Sequence, residues 1–170
     1  MKKIIILLIV CLLTGCSNDN DNIRFKEEYE KLNDTLYNIE VEEDNYIKYL
    51  SKEKIIALIE NGTGVIYIGN EQDNECRQMV SVLIEAANST NLEEIYYLKE
   101  TQLDEFAKYI ETPQVPLVLF IYEGEIVDYK QGIGNNEILT PKEREELFNT
   151  YVSGIHKVLN DMCDEECSDW

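Results

Sequence analysis

The 170-residue sequence predicts an α/β domain: a mixed sheet flanked by helices on both faces, with a helical extension on its N-terminal side. Three observations lead there. Short apolar runs of strand length alternate with segments whose apolar residues recur every three or four positions. Two of the runs, Val65–Ile68 and Leu117–Tyr122, are apolar throughout, as strands covered on both faces are. The last two runs are separated by a spacer of turn length and followed by a well-capped helix, so parallel crossovers give way to an antiparallel pair.

The elements begin after a segment of another kind. Lys2 and Lys3 precede an unbroken apolar run, Ile4–Leu13, which has the basic and apolar regions of an export signal but is too short to span a bilayer as a helix. Leu13-Thr14-Gly15-Cys16 follows directly and resembles a bacterial lipobox. That resemblance implies cleavage of residues 1–15 and acylation of Cys16, with palmitate among the lipids. Within a tether of residues 16–22, Ser17–Asn22 is polar and without period and reaches about 20 Å when stretched. Without residues 1–15 the chain carries 13 Lys and Arg against 34 Asp and Glu, a net of −21. Such a surface repels anionic headgroups and displaces no phosphate counterions, so lipid must do the anchoring and nucleic acid is excluded as a partner. The expected location is the outer face of the bacterial cell membrane, where disulfides persist.

Residues 23–44 form the helical extension and linker, with Phe25, Tyr29, Leu32 and Leu36 on one stripe. Within 45–162 the elements follow in order. Tyr46–Leu50 alternates like a strand, and Ser51 stands as N-cap of a helix through Ile55, Leu58 and Ile59 that Asn61-Gly62-Thr63-Gly64 ends. Val65–Ile68 is a buried strand. Cys76, Met79, Val80, Leu83, Ile84 and Ala87 mark the next helix, Ile95–Leu98 the next strand, and Leu103, Phe106 and Ile110 a further helix. Leu117–Tyr122 and Ile126–Tyr129 are strands joined by Glu123-Gly124-Glu125. Thr140, Pro141 and Glu143 form a capping box with proline in the first turn, and Leu147, Phe148, Tyr151, Ile155, Val158 and Leu159 give the last helix its apolar face. An acidic tail, 163–170, carries Cys163 and Cys167.

Two local segments sharpen this order. The first runs Gly64-Val65-Ile66-Tyr67-Ile68-Gly69-Asn70-Glu71-Gln72-Asp73-Asn74-Glu75-Cys76-Arg77; the second is Thr112-Pro113-Gln114-Val115-Pro116-Leu117-Val118-Leu119-Phe120. Together they resemble the thioredoxin superfamily over about residues 45–162, and are similar to thioredoxin-like proteins of bacterial envelopes of the bacteriocin transport accessory type. The resemblance implies that Cys76 takes the place of the second cysteine of Cys-x-x-Cys. It also implies that Pro116 is cis, facing the redox site, and that the Val115 backbone is open to pairing with an extended peptide.

The departure lies inside the motif. Asp73 stands where the attacking cysteine belongs, so the chain reads Asp-x-x-Cys. A thiol at a helix start is activated because unpaired N–H groups and the helix dipole stabilise its thiolate. An aspartate there is a preferred N-cap, whose carboxylate takes an N–H of Glu75 or Cys76 and attacks no disulfide. Glu71, Asp73 and Glu75 also oppose ionisation of Cys76, with Arg77 as a partial offset, and Cys76 reads first as a small, partly buried core residue.

Cys163 and Cys167 are four apart at the end of the last helix, their Cα atoms about 6 Å apart on one face and within reach of a disulfide. With Cys11 removed and Cys16 acylated, three thiols remain, an odd number. His156 stands about 10 Å along the helix from Cys163, too far to share an ion, and no phosphate loop, zinc-protease helix or serine elbow occurs, so neither metal nor cofactor is implied. The expected function is that of a redox-degenerate binding or accessory module for an extended peptide or envelope protein. The alternative is a thiol-disulfide oxidoreductase using Cys76 with Cys163 and Cys167.

Overall fold

The computed structural model describes residues 47–99, 103–132 and 138–160. The export signal, Cys16, the tether, the 23–44 helix and the tail with Cys163 and Cys167 lie outside those residues.

Strand β1 (Ile47–Tyr49) leads into helix α1 (Lys52–Asn61), then β2 (Gly64–Gly69), α2 (Asn74–Thr90) and β3 (Ile95–Lys99). A 3₁₀ turn, Leu103–Lys108, precedes β4 (Leu117–Tyr122), β5 (Glu125–Gln131) and α3 (Pro141–Leu159). The sheet order is β1-β3-β2-β4-β5. β1, β3 and β2 are parallel, while β4 runs antiparallel to both β2 and β5. The result is a mixed sheet with helices on both faces, as the sequence predicts.

Alternation along the strands sorts their side chains into two cores. Val65, Tyr67, Tyr97, Val118 and Phe120 meet α2 and α3 through Met79, Leu83, Tyr151 and Ile155. Ile66, Ile68, Leu117, Leu119 and Ile121 face the other way, onto Ile55 and Ile59 of α1 and onto Phe106 and Ile110. Each such aliphatic side chain stabilises the fold by about 1.5–3 kcal/mol. Gly154 lets α3 lie against β4, since a Cβ there would meet the Phe120 ring at 2.6 Å.

Four details differ from the sequence reading. The 103–108 segment is 3₁₀ rather than α-helical, which suits Leu103 and Phe106 spaced three apart, and Ile110 follows it in a turn. The hairpin turn is two residues, not three: Glu123 (φ 50°) and Gly124 (φ 81°) make the primed geometry that matches strand twist, and Glu125 already belongs to β5. Ser51 takes the N-cap position of α1 without a side-chain cap bond to the helix backbone. Leu159 is 41% exposed, because α3 turns away into a left-handed cap at Asn160 (φ 51°) ahead of Cys163.

The topology fixes one end of the sheet as the place to look. Parallel β1, β2 and β3 all finish there, as does β5, while β4 starts there, Leu117 opposite both Ile68 and Gln131. α1, α2 and α3 therefore all begin at that end.

Candidate functional site

The β2–α2 connection is organised by Asn70. Its carbonyl accepts from Asp73 N–H at 3.0 Å, and its side-chain Oδ1 accepts from Gln72 N–H at 2.9 Å. This local turn delivers Asp73 in extended backbone (φ −90°, ψ 128°) to the N-cap of α2. Asp73 Oδ1 then accepts from Cys76 N–H at 2.8 Å. The cap forms as the sequence predicts, with Cys76 rather than Glu75 as donor. One unpaired N–H group of the helix start is thereby satisfied.

Cys76 is fully buried, and it is a free cysteine. Its Sγ accepts from Asn70 N–H at 3.3 Å, while its carbonyl accepts from the Tyr67 hydroxyl at 3.1 Å. Burial pushes the thiol up to about 12; the Asn70 N–H opposes this, and the Asp73 charge adds to it. At neutral pH only about one such thiol in 10⁵ is ionised. The geometry holds sulfur in the core and an inert carboxylate at the helix start.

Two groups expected to influence this thiol have partners of their own. Glu71, 7% exposed, is ion-paired with Lys99 of β3, which stands opposite Gly69 in the sheet register. The Arg77 guanidinium donates to Asn74 Oδ1 at 2.6 Å. A neighbour of this thiol was not foreseen: Tyr151 of α3 is completely buried, and its hydroxyl has no hydrogen-bond partner among the described residues. Burial, followed by the charges of Cys76 and Glu75, pushes that hydroxyl well above its ordinary value.

Val115–Pro116 is the second half of the site. The Val115–Pro116 bond is cis, as the resemblance implies, and Pro116 is buried while Val115 is half-buried. The Pro116 carbonyl accepts from Gly132 N–H at 2.9 Å, continuing the β4–β5 ladder. Val115 makes no backbone hydrogen bond among the described residues. Continuing the antiparallel register beyond Ile68 and Leu117 brings Val115 toward the Asn70 turn, so Asp73, Cys76, Val115 and Pro116 gather at one sheet end.

Sequence spacing missed Asn70, Tyr67 and Lys99. The first carries a local signal, an Asn before a helix start; Tyr67 acts from β2 onto the backbone of α2 and Lys99 from the neighbouring strand, and no sequence separation betrays them. Among the described residues no three His, Cys, Asp or Glu side chains converge as a metal ion would require, and no helix is long and apolar enough to cross a membrane.

No protein-family model and no curated protein matches the chain. Among solved structures it is similar to the solution structure of oxidised thioredoxin from Plasmodium falciparum, at 15% sequence identity and a TM-score of 0.44, over 62% of this chain and 98% of that one.

Proposed function

We propose that this chain is a thioredoxin-like module, held at the outer face of the bacterial membrane by lipid on Cys16, that binds an extended segment of an envelope protein and does not exchange dithiols. The observation that carries this reading is the Asp73–Cys76 cap, in which a carboxylate holds the position of a nucleophile and the remaining thiol is buried and raised to about 12. Beside it, the unpaired Val115 backbone supports binding by strand addition, which needs no cysteine.

Insulin reduction tests the chemistry. The expected result is no turnover above the dithiothreitol background, the same in Cys76→Ser. Turnover that vanishes in Cys76→Ser would establish the oxidoreductase with Cys163 and Cys167 instead. Replacing Asp73 with Cys is expected to confer activity on an otherwise competent scaffold. For the anchor, Cys16→Ser is expected to move the protein from the membrane fraction to the soluble one, and unchanged membrane recovery would refute lipid attachment.

A further inference from the structure

The geometry points to a modification site at the other end of the sheet: the Asn61–Gly62 junction of α1 and β2 is a deamidation site that the β4–β5 hairpin keeps closed. The chemistry lies in the residue pair. An asparagine amide is open to attack by the main-chain nitrogen of the next residue, and glycine in that place puts no side chain in the way. The Gly62 nitrogen bonds to Asn61 Cγ and gives up its proton, Nδ2 leaves as ammonia, and a succinimide ring remains. Water then opens the ring at either carbonyl. Opening at Cγ gives aspartate; opening at the main-chain carbonyl gives isoaspartate, whose backbone runs through Cβ and is longer by that carbon. Water is the only co-reactant.

The fold exposes the amide and withholds the nucleophile. Asn61, the last residue of α1, is exposed, and its Nδ2 donates to the Ala57 carbonyl at 3.5 Å, a long and weak bond. Gly62 N–H, by contrast, donates to the Leu58 carbonyl at 2.8 Å, so the attacking nitrogen is engaged in the helix cap. The hairpin closes over the same junction. Gly124 N–H donates to the Gly62 carbonyl at 2.8 Å, and Glu123 N–H to Thr63 Oγ1 at 2.9 Å. There is no slack in the fit: a Cβ on Gly62 would lie 2.4 Å from Leu58 Cδ1, and one on Gly124 2.6 Å from the Glu60 carbonyl oxygen. Ring closure therefore waits until the end of α1 opens locally. The isoaspartyl product cannot close again in the same way. Only Gly62 and Thr63 join α1 to the buried strand β2, so an added backbone carbon displaces Gly62 from its partners. The new carboxylate also stands beside Glu60 at the negative end of a helix that has no basic residue in its last turn.

Timed incubation of the full chain at mildly alkaline pH, native and in guanidinium chloride, tests this through peptide mapping that separates the Asn, Asp and isoaspartyl forms. Asn91, which caps the end of α2 and is followed by Leu92, is the internal reference. In denaturant Asn61 is expected to convert well ahead of Asn91. In the native protein its conversion is expected to be slower by about tenfold or more, the factor set by local opening. Thr63→Ala removes one bond of the hairpin from an exposed position and is expected to raise the native rate about two- to fivefold while leaving the denatured rate unchanged. Asn61→Gln, whose longer amide closes a larger ring far more slowly, is the blank and is expected to give no product. The isoaspartyl chain, separated by anion exchange and refolded, is expected to unfold at lower denaturant than its parent. Equal native and denatured rates, or Asn91 converting in step with Asn61 in denaturant, would overturn the inference. An unchanged native rate in Thr63→Ala would overturn the closure by the hairpin, and an isoaspartyl chain as stable as its parent would overturn the lasting effect on the junction.

Discussion

The start of α2 and the start of β4 lie at the same end of one sheet, yet they are held by different means. At α2 the conformation depends on a side chain: Asp73 supplies the cap, and the sulfur behind it sits in the core. At β4 it depends on backbone, through the Pro116 carbonyl and the paired strands that follow. The difference teaches which half of such a site a single residue can change. One replacement at position 73 removes the cap of α2, whereas no side chain need change for Val115 to stay without a backbone hydrogen bond among the described residues.

The largest effect that would break this contrast is the reactivity of Cys76. With its thiol near 12 in the folded chain and near the ordinary value of about 8.5 once unfolded, the thiolate fraction differs by about a thousandfold at mildly alkaline pH. Iodoacetamide labelling of Cys76, followed by peptide mass mapping, is expected to be at least that much slower in native protein than in urea. Rapid native labelling would mean that the helix start is open and that the two halves are alike. Leu117→Ala probes the other half. Leu117 is fully buried in the core facing α1, so its truncation is expected to cost about 3 kcal/mol in urea unfolding. Because Cys76 lies on α2, which packs on the opposite face, its native labelling should stay slow in that variant.

The sequence made both halves visible, but unequally. Asp73 announced its cap because capping is local, and the Thr140–Glu143 box was legible for the same reason. Val65–Ile68 and Leu117–Tyr122 showed their burial because strands covered on two faces have no polar period. What could not be read is what pairs across the sheet. The insertion of β3 between β1 and β2 decides that Lys99 meets Glu71 and that Tyr97 stacks on Tyr67 at 5.7 Å between centroids. The Tyr151 hydroxyl reaches the surroundings of Cys76 only because α3 returns across β4, which nothing near position 151 encodes. Apolar spacing also overstated the 103–110 helix, since Leu103 and Phe106 at a separation of three satisfy a 3₁₀ turn as well as an α-helix.

A smaller effect is the alkaline limb of stability. The folded Cys76 thiol is raised above its unfolded value, so as pH climbs past about 8.5 the unfolded chain loses its proton first. The folded state then binds more protons, and stability falls with pH until about 12, having been complete below 8.5. The loss is expected to be about 1 kcal/mol one pH unit above the unfolded value, measured as a declining urea midpoint. Cys76→Ala should flatten that limb. Tyr96, also raised to about 12 by burial and its bond to Glu94, adds a decline of the same sign above the ordinary tyrosine value, as does the buried Tyr151, so the two proteins are compared below that value.

The finest test separates the shape of the Asp73 side chain from its charge. Asp73→Ala leaves Cys76 N–H without its acceptor at the start of α2 and is expected to cost about 1 kcal/mol in urea unfolding. Asp73→Asn keeps an oxygen in place and is expected to cost a few tenths at most. Both remove a charge that raises the Cys76 thiol, so both should speed its labelling slightly, while burial, the larger cause, keeps it slow. Thr140→Ala supplies the reference, because the exposed box at α3 caps a helix with no sulfur behind it; it is expected to match Asp73→Ala in stability and to leave labelling unchanged. If Asp73→Ala instead proved neutral in stability while labelling rose to the unfolded rate, the carboxylate would be shielding the thiol rather than capping the helix, and the contrast between side-chain and backbone control would have to be redrawn around that shield.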